Sequence, residues 1–131
     1  MKKSTKEGRF IESITRQFYE IPGRIITLQS GEYLFHEGDQ ANYFYFVRSG
    51  KIFITKYAES GRVLSLRLAT KSSIIGELPL YEEKPTYIFN AVAQVPSEVY
   101  AIGLPTLYSY LEKKPLLAVS LLKIIGQHMR K

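Results

Sequence analysis

From Arg24 to Ile102 the sequence is a succession of short β-rich runs cut by turn residues, and no other feature constrains the fold as strongly. The runs are "RIITL", "EYLFHE", "YFYFVR", "KIFITKY", "VLSLRLA", "YIFNAVAQ" and "SEVYAIG". Between them stand Ser30-Gly31, Gly38-Asp39, Ser49-Gly50, Ser60-Gly61 and Val95-Pro96, residue types that close turns or accept positive φ. Leu64, Leu66 and Leu68 alternate with Ser65 and Arg67, which predicts a strand whose leucines share one buried face. Many short strands at this spacing predict a sandwich or barrel.

Both flanks read as helix. "STKE" at Ser4 to Glu7 fits a capping box, and Phe10, Ile11, Ile14 and Phe18 follow at helical spacing, predicting an amphipathic helix over 5–19 that stops at Pro22-Gly23. Pro105 and Pro115 each open a further helical tract, since the amide that proline lacks would be unpaired in a first turn. In the last tract Ala118, Leu122, Ile125 and Met129 form one apolar stripe, and Leu117, Leu121 and Ile124 form a second beside it. Such a surface is too wide for one seam: one side can face the β-domain while the other meets a partner helix. With 131 residues the chain has the length of one domain. It divides into a lead-in helix at 1–22, a β core at 23–104 and C-terminal helices at 105–131.

Composition removes several classes of function. There is no cysteine, hence no disulfide, thiolate metal site, thiol nucleophile or cysteine-held cluster. No stretch approaches the ~18 apolar residues of a membrane helix, and no apolar run follows the basic start as a signal peptide requires. A cytoplasmic protein with no membrane role is expected. The net charge of +6 sits at the ends: residues 21–104 carry eight Lys/Arg against eight Asp/Glu. A neutral middle between basic ends does not form a groove that tracks a phosphate backbone. His36 and His128, the two histidines, are too few and too far apart for a metal-binding cluster. Asp39, the single aspartate, lies beside His36 on one turn. No cofactor and no catalysis are expected.

The order of helix, β-roll, short helix and long striped helix resembles the sensor half of the bacterial Crp/Fnr transcription regulators, within the wider cyclic-nucleotide-binding fold. "GEYLFHEGD", "FVRSGKIFI", "ESGR" and "IIGELPLYEE" are similar to successive motifs of that family in order and spacing. The resemblance implies a mainly β fold with flanking helices: a cyclic-nucleotide-binding-like β-roll, or jelly roll, followed by a short helix and a long dimerisation-type helix. In the family the turn at Gly76 and Glu77 begins a phosphate-binding cassette, where the carboxylate accepts from a ribose hydroxyl and an arginine ten residues later holds the cyclic phosphate.

Here that position is Tyr87, followed by Ile88 and Phe89, and no arginine lies between Arg67 and Arg130. Each charge-assisted hydrogen bond contributes roughly 1.5–3 kcal/mol, and an arginine fork can make two to a phosphate. Their loss weakens binding on the order of tenfold to a thousandfold. Ser72 also stands where the family commonly has glycine. The expectation is a sensor domain unresponsive to cyclic AMP, with a candidate pocket of Gly76, Glu77, Leu78, Tyr87, Ile88 and Phe89. Two readings of that pocket stay open: it takes an apolar or aromatic small-molecule effector anchored by Glu77 or the Tyr87 hydroxyl, or these side chains fill it.

By the same resemblance the chain forms a homodimer through its C-terminal helix, with Leu121, Leu122, Ile125 and Met129, together with the "YAESGR" hairpin, transmitting change to a helix-turn-helix DNA reader. Nothing in the sequence to Lys131 resembles that reader, so DNA contact is expected only through a further C-terminal domain. The alternative is a standalone small-molecule-binding or scaffold module with no role at DNA.

Overall fold

The structure is a computed structural model describing residues 6–75 and 83–129, with the backbone alone described at positions 7, 8, 10, 11, 65 and 125–129. A lead-in helix α1 (Lys6–Tyr19) precedes the strands β1 (Arg24–Leu28), β2 (Tyr33–Phe35), β3 (Tyr43–Ser49), β4 (Ile52–Tyr57), β5 (Val63–Ala69), β6 (Ile74–Ile75), β7 (Asn90–Ala93) and β8 (Ser97–Gly103), and then the helices α2 (Leu104–Lys113) and α3 (Pro115–Met129). The strands make two four-stranded sheets in the orders β1-β8-β3-β6 and β2-β7-β4-β5. Every pairing is antiparallel. This is the expected β-roll with flanking helices.

The aromatic run of β3 explains why the roll and helices make one body. Successive strand residues point to opposite faces. Tyr45 and Val47 therefore enter a core between the sheets with Phe35, Ile52, Ile54, Tyr87 and Val99. Phe44 and Phe46 point the other way, into a second core with Ile14 and Phe18 of α1, Leu104 and Leu107 of α2, and Leu117, Leu121 and Ile124 of α3. Phe18 rests on both phenylalanines, at ring-centroid distances of 6.0 and 4.7 Å. Each such side chain contributes roughly 1.5–3 kcal/mol on full burial. The chain leaves α1 through a tight passage: the Tyr100 hydroxyl donates to the Ile21 carbonyl at 2.6 Å. A Cβ on Gly23 would lie 2.5 Å from the Ala101 carbonyl oxygen, so glycine is required by close approach.

Three expectations need correction. Leu64, Leu66 and Leu68 do not lie on the buried face of β5; they are 41–48% exposed. The inward face carries Arg67 and Ala69, paired across the ladder with Ile54 and Ile52, and the Arg67 guanidinium donates to the Ile74 carbonyl at 2.9 Å. β5 is an edge strand, and an inward-pointing charge is one way such edges are kept from pairing further. Secondly, "YIFNAVAQ" is not one strand, because pairing begins only at Asn90. Thirdly, β6 is an additional two-residue strand, Ile74–Ile75, paired with β3. The side chains of the capping box at Ser4 to Glu7 lie outside the described residues.

Candidate functional site

Although Thr86 to Phe89 form no strand, backbone hydrogen bonds lace this segment to the turn after β2. The Ala41 amide donates to the Pro85 carbonyl at 2.8 Å, Tyr87 N–H to the Asp39 carbonyl at 2.9 Å, and Gly38 N–H to the Tyr87 carbonyl at 2.8 Å. A bridge pairs Gln40 with Thr86. Gly38 has φ +92°, a conformation that glycine adopts without steric cost. The turn is tied further by Asn90, whose side-chain oxygen accepts from Glu37 N–H at 2.9 Å and whose amide donates to the Thr55 carbonyl at 3.5 Å. Asn90 is 1% exposed, and a buried amide of this kind is retained by satisfied hydrogen bonds.

The lacing sends the Tyr87 ring into the roll. It stacks on Phe35 with centroids 3.7 Å apart and planes 11° apart. Its hydroxyl donates to the Tyr43 carbonyl at 2.9 Å and lies 3.4 Å from the Tyr45 hydroxyl. Burial pushes the Tyr87 phenol up, only partly offset by its bonds to Tyr45, Tyr43 and Asn42. Burial pushes Tyr45 up as well, reinforced by its bond to Tyr87. Both phenols are therefore held neutral, as donors and acceptors rather than as charges. Tyr87 cannot do the work of a guanidinium here: it brings ring volume and a polar tip already engaged with the chain itself.

The other candidates separate. Ile88 is exposed, while Phe89 packs on the core between the sheets. Lys56 covers this segment: its ammonium sits 5.7 Å from the Phe89 ring centroid, donates to the Ile88 carbonyl at 3.2 Å and pairs with Glu37 at 3.1 Å. Gly76, Glu77 and Leu78 lie outside the described residues, and of the other three candidate pocket residues Tyr87 and Phe89 meet at the core between the sheets while Ile88 does not join them. His36 stacks on Tyr33 at 4.3 Å, with its ring nitrogen 3.9 Å from Asp39. Among the described residues no group of three His, Cys, Asp or Glu side chains can hold a metal ion.

The model of the cyclic nucleotide-binding domain family matches residues 25–114. The chain belongs to that family. Its relatives place it with the Crp/Fnr-type regulators. It is 35% identical over 121 residues to the anaerobic regulatory protein of Bacillus subtilis, covering 90% of this chain and 51% of that one. To the CRP-like cAMP-activated global transcriptional regulator of Mycobacterium tuberculosis it is 27% identical over 127 residues, covering 95% and 53%. The chain thus spans about half the length of these relatives. The crystal structure of the N-terminal domain of a transcriptional regulator from Streptomyces coelicolor superposes with a TM-score of 0.70 at 27% identity, over 90% of this chain and 81% of that one.

On the outside of this cyclic nucleotide-binding domain, α3 has two unlike sides. Leu117, Leu121 and Ile124 are buried against α1, α2 and the first sheet. Leu116 and Leu122 are 82% and 68% exposed. Adjacent residues thus diverge: Leu121 belongs to the chain's own core, and Leu122 touches water. The side chains of Ile125 and Met129 are outside the description. Among the described residues no helix is long and apolar enough to cross a membrane.

Proposed function

We propose that this chain is the effector-sensing and dimerisation domain of a bacterial Crp/Fnr-type transcription regulator that does not respond to cyclic AMP. One observation carries the reading. Where the family resemblance expects the arginine of the phosphate cassette, Tyr87 stacks on Phe35 and donates to the Tyr43 carbonyl. To admit a cyclic phosphate there, the chain would have to give up that stack and hydrogen bond, and Tyr87 supplies no positive charge in the arginine's place. The effector, if the regulator has one, is a different small molecule. The test is thermal denaturation of the chain across a cyclic AMP titration. Ligand at a hundred times its dissociation constant would stabilise by about 2.7 kcal/mol; no shift is expected, and a saturable upward shift sinks the proposal.

Dimerisation is supported by the apolar side chains that face water. Leu116, Val119 and Leu122 line one side of α3, and Leu64, Leu66 and Leu68 line the outer face of β5. In this reading the α3 stripe meets its copy in a second subunit. Leu122→Glu is expected to turn a dimer into a monomer in sedimentation velocity with the thermal midpoint of the monomer kept; a wild-type chain monomeric at high concentration removes this part. The domain is non-enzymatic and cytoplasmic, and DNA is contacted through a further C-terminal domain. Sequence downstream of Lys131 tests this: a helix-turn-helix is expected, and a stop codon there favours a standalone module.

A further inference from the structure

Outside the roll, a cleft of about 400 Å³ lies where α1 meets the end of β3 and the turn between β5 and β6. Its walls come from three places in the sequence. Thr15, Arg16 and Tyr19, three, four and seven residues after Glu12, present one face of α1; Arg48 comes from β3, and Lys71 and Ser72 from the turn. Three cations and three hydroxyls converge on a space large enough for a small polar ligand. Glu12 is the single carboxylate in the lining. Glu98 pairs with Arg48 from outside it, at 3.4 Å. Among the described residues neither Arg16 nor Lys71 has a carboxylate within ion-pair distance.

The cleft is built rather than incidental. Ser72 is the one non-glycine among the described residues with positive φ, at +71°, a region that side chains enter only with strain. Glycine would relieve it, yet a hydroxyl-bearing residue stands there and lines the cleft. The turn is fixed on both sides to β3: Ser72 N–H donates to the Val47 carbonyl at 2.8 Å, and Val47 N–H to the Ser73 carbonyl at 2.9 Å. Thr70 N–H donates to the Ser73 hydroxyl at 3.0 Å. Lys71 and Ser72 are therefore held in register with Arg48. The Arg48 guanidinium lies 6.0 Å from the Tyr19 ring centroid, which with Glu98 limits its freedom. Backbone strain at a side chain that faces a pocket points to a function of that side chain.

We propose that this cleft binds a phosphate group, carried by a small phosphorylated molecule or free as the anion, at a site separate from the roll interior. Two arginine forks match phosphate oxygens in bidentate geometry, Lys71 adds a third positive charge, and the Tyr19 and Ser72 hydroxyls serve the oxygens left over. A carboxylate has too few oxygens to use this donor set, whereas a phosphate ester dianion has three.

The experiment is a ¹H–¹⁵N NMR titration of the 131-residue chain with glycerol 3-phosphate, inorganic phosphate, malonate and chloride at matched ionic strength. Saturable shifts at the Arg48, Lys71 and Ser72 amides are expected with the phosphate probes. Tighter binding of the ester assigns a phosphorylated metabolite, and equal or tighter binding of inorganic phosphate assigns the free anion. Arg16→Gln and Lys71→Ala should each weaken binding about tenfold, the scale of one charge-assisted hydrogen bond, with Lys114→Ala unchanged. Ser72→Gly should raise the denaturation midpoint while weakening binding, a pairing that a purely structural turn would not give. A response linear in concentration, one reproduced by chloride or malonate, or binding indifferent to both Arg16→Gln and Ser72→Gly overturns the site.

Discussion

The roll interior and the outward side of α3 use similar large apolar residues and treat them oppositely. Between the sheets, Phe35, Tyr45 and Tyr87 contact one another at ring-centroid distances of 3.7 to 6.3 Å, and the Tyr87 hydroxyl is bonded within the chain. On α3 and β5, by contrast, leucines lie open to water. A region whose groups are mutually satisfied has little left to offer a ligand, while an unsatisfied apolar face gains free energy only from a partner. Among the described residues the Tyr87 position is filled by the chain's own side chains, and the apolar surface without a partner in the chain lies on α3 and β5.

The largest effect should come from emptying the interior. Tyr87→Ala removes a stacked, buried ring, and truncations of this size cost about 3–5 kcal/mol. The unfolding free energy from urea denaturation should fall by that amount, seen as a lower midpoint with the slope unchanged. A loss below about 1 kcal/mol, the size of ordinary surface effects, would mean that Tyr87 does not fill the roll and would reopen it as a pocket.

Neighbouring leucines on α3 give the next contrast. Leu121→Ala should cost about 2–5 kcal/mol, whereas Leu122→Ala in the monomer should change stability by no more than about 0.5 kcal/mol. Equal losses at both positions, measured by denaturation at low concentration, would erase the two-sided character of the helix.

A smaller effect isolates the hydroxyl. Tyr87→Phe keeps the ring on Phe35 and gives up a hydrogen bond contributing about 1 kcal/mol. The sign of its pH dependence follows from burial. The folded-state phenol titrates above the ordinary range, so the unfolded chain releases its proton first as pH rises past about 10. The contribution is fully present below that pH and is lost above it. Stability measured between pH 9 and 11 should therefore fall less steeply in Tyr87→Phe than in the parent; identical slopes would place the phenol in water.

The bounds of β1, β5 and β8 coincide with the runs "RIITL", "VLSLRLA" and "SEVYAIG", because strand periodicity and turn residues are local properties. What sequence reading missed is non-local. Alternation in β5 separates two faces without saying which is inward, and the carbonyl of Ile74 that receives Arg67 belongs to another strand. A two-residue β6 is too short to show any period. Asn90 carries no mark that distinguishes a buried clamp from a loop amide until Glu37 and Thr55 are brought to it. The substitution at Tyr87 was legible, because it breaks a motif; its stacking on Phe35 was not. The cationic cleft was least legible of all, since Arg16, Arg48 and Lys71 are assembled from three separated segments.

The smallest effect tests the outer face of β5. Leu66→Ser replaces a side chain that is already 48% exposed, so the isolated domain should keep its stability within about 0.5 kcal/mol. If the sequence alternation had reported the inward face, the same change would bury a hydroxyl and open a cavity, with a loss several times larger. Denaturation of Leu66→Ser beside Ile54→Ala, on the inward face of the adjoining strand, makes the two faces directly comparable. A large loss for Ile54→Ala with none for Leu66→Ser sustains the contrast between a closed interior and an open exterior. The reverse order would turn the sheet over.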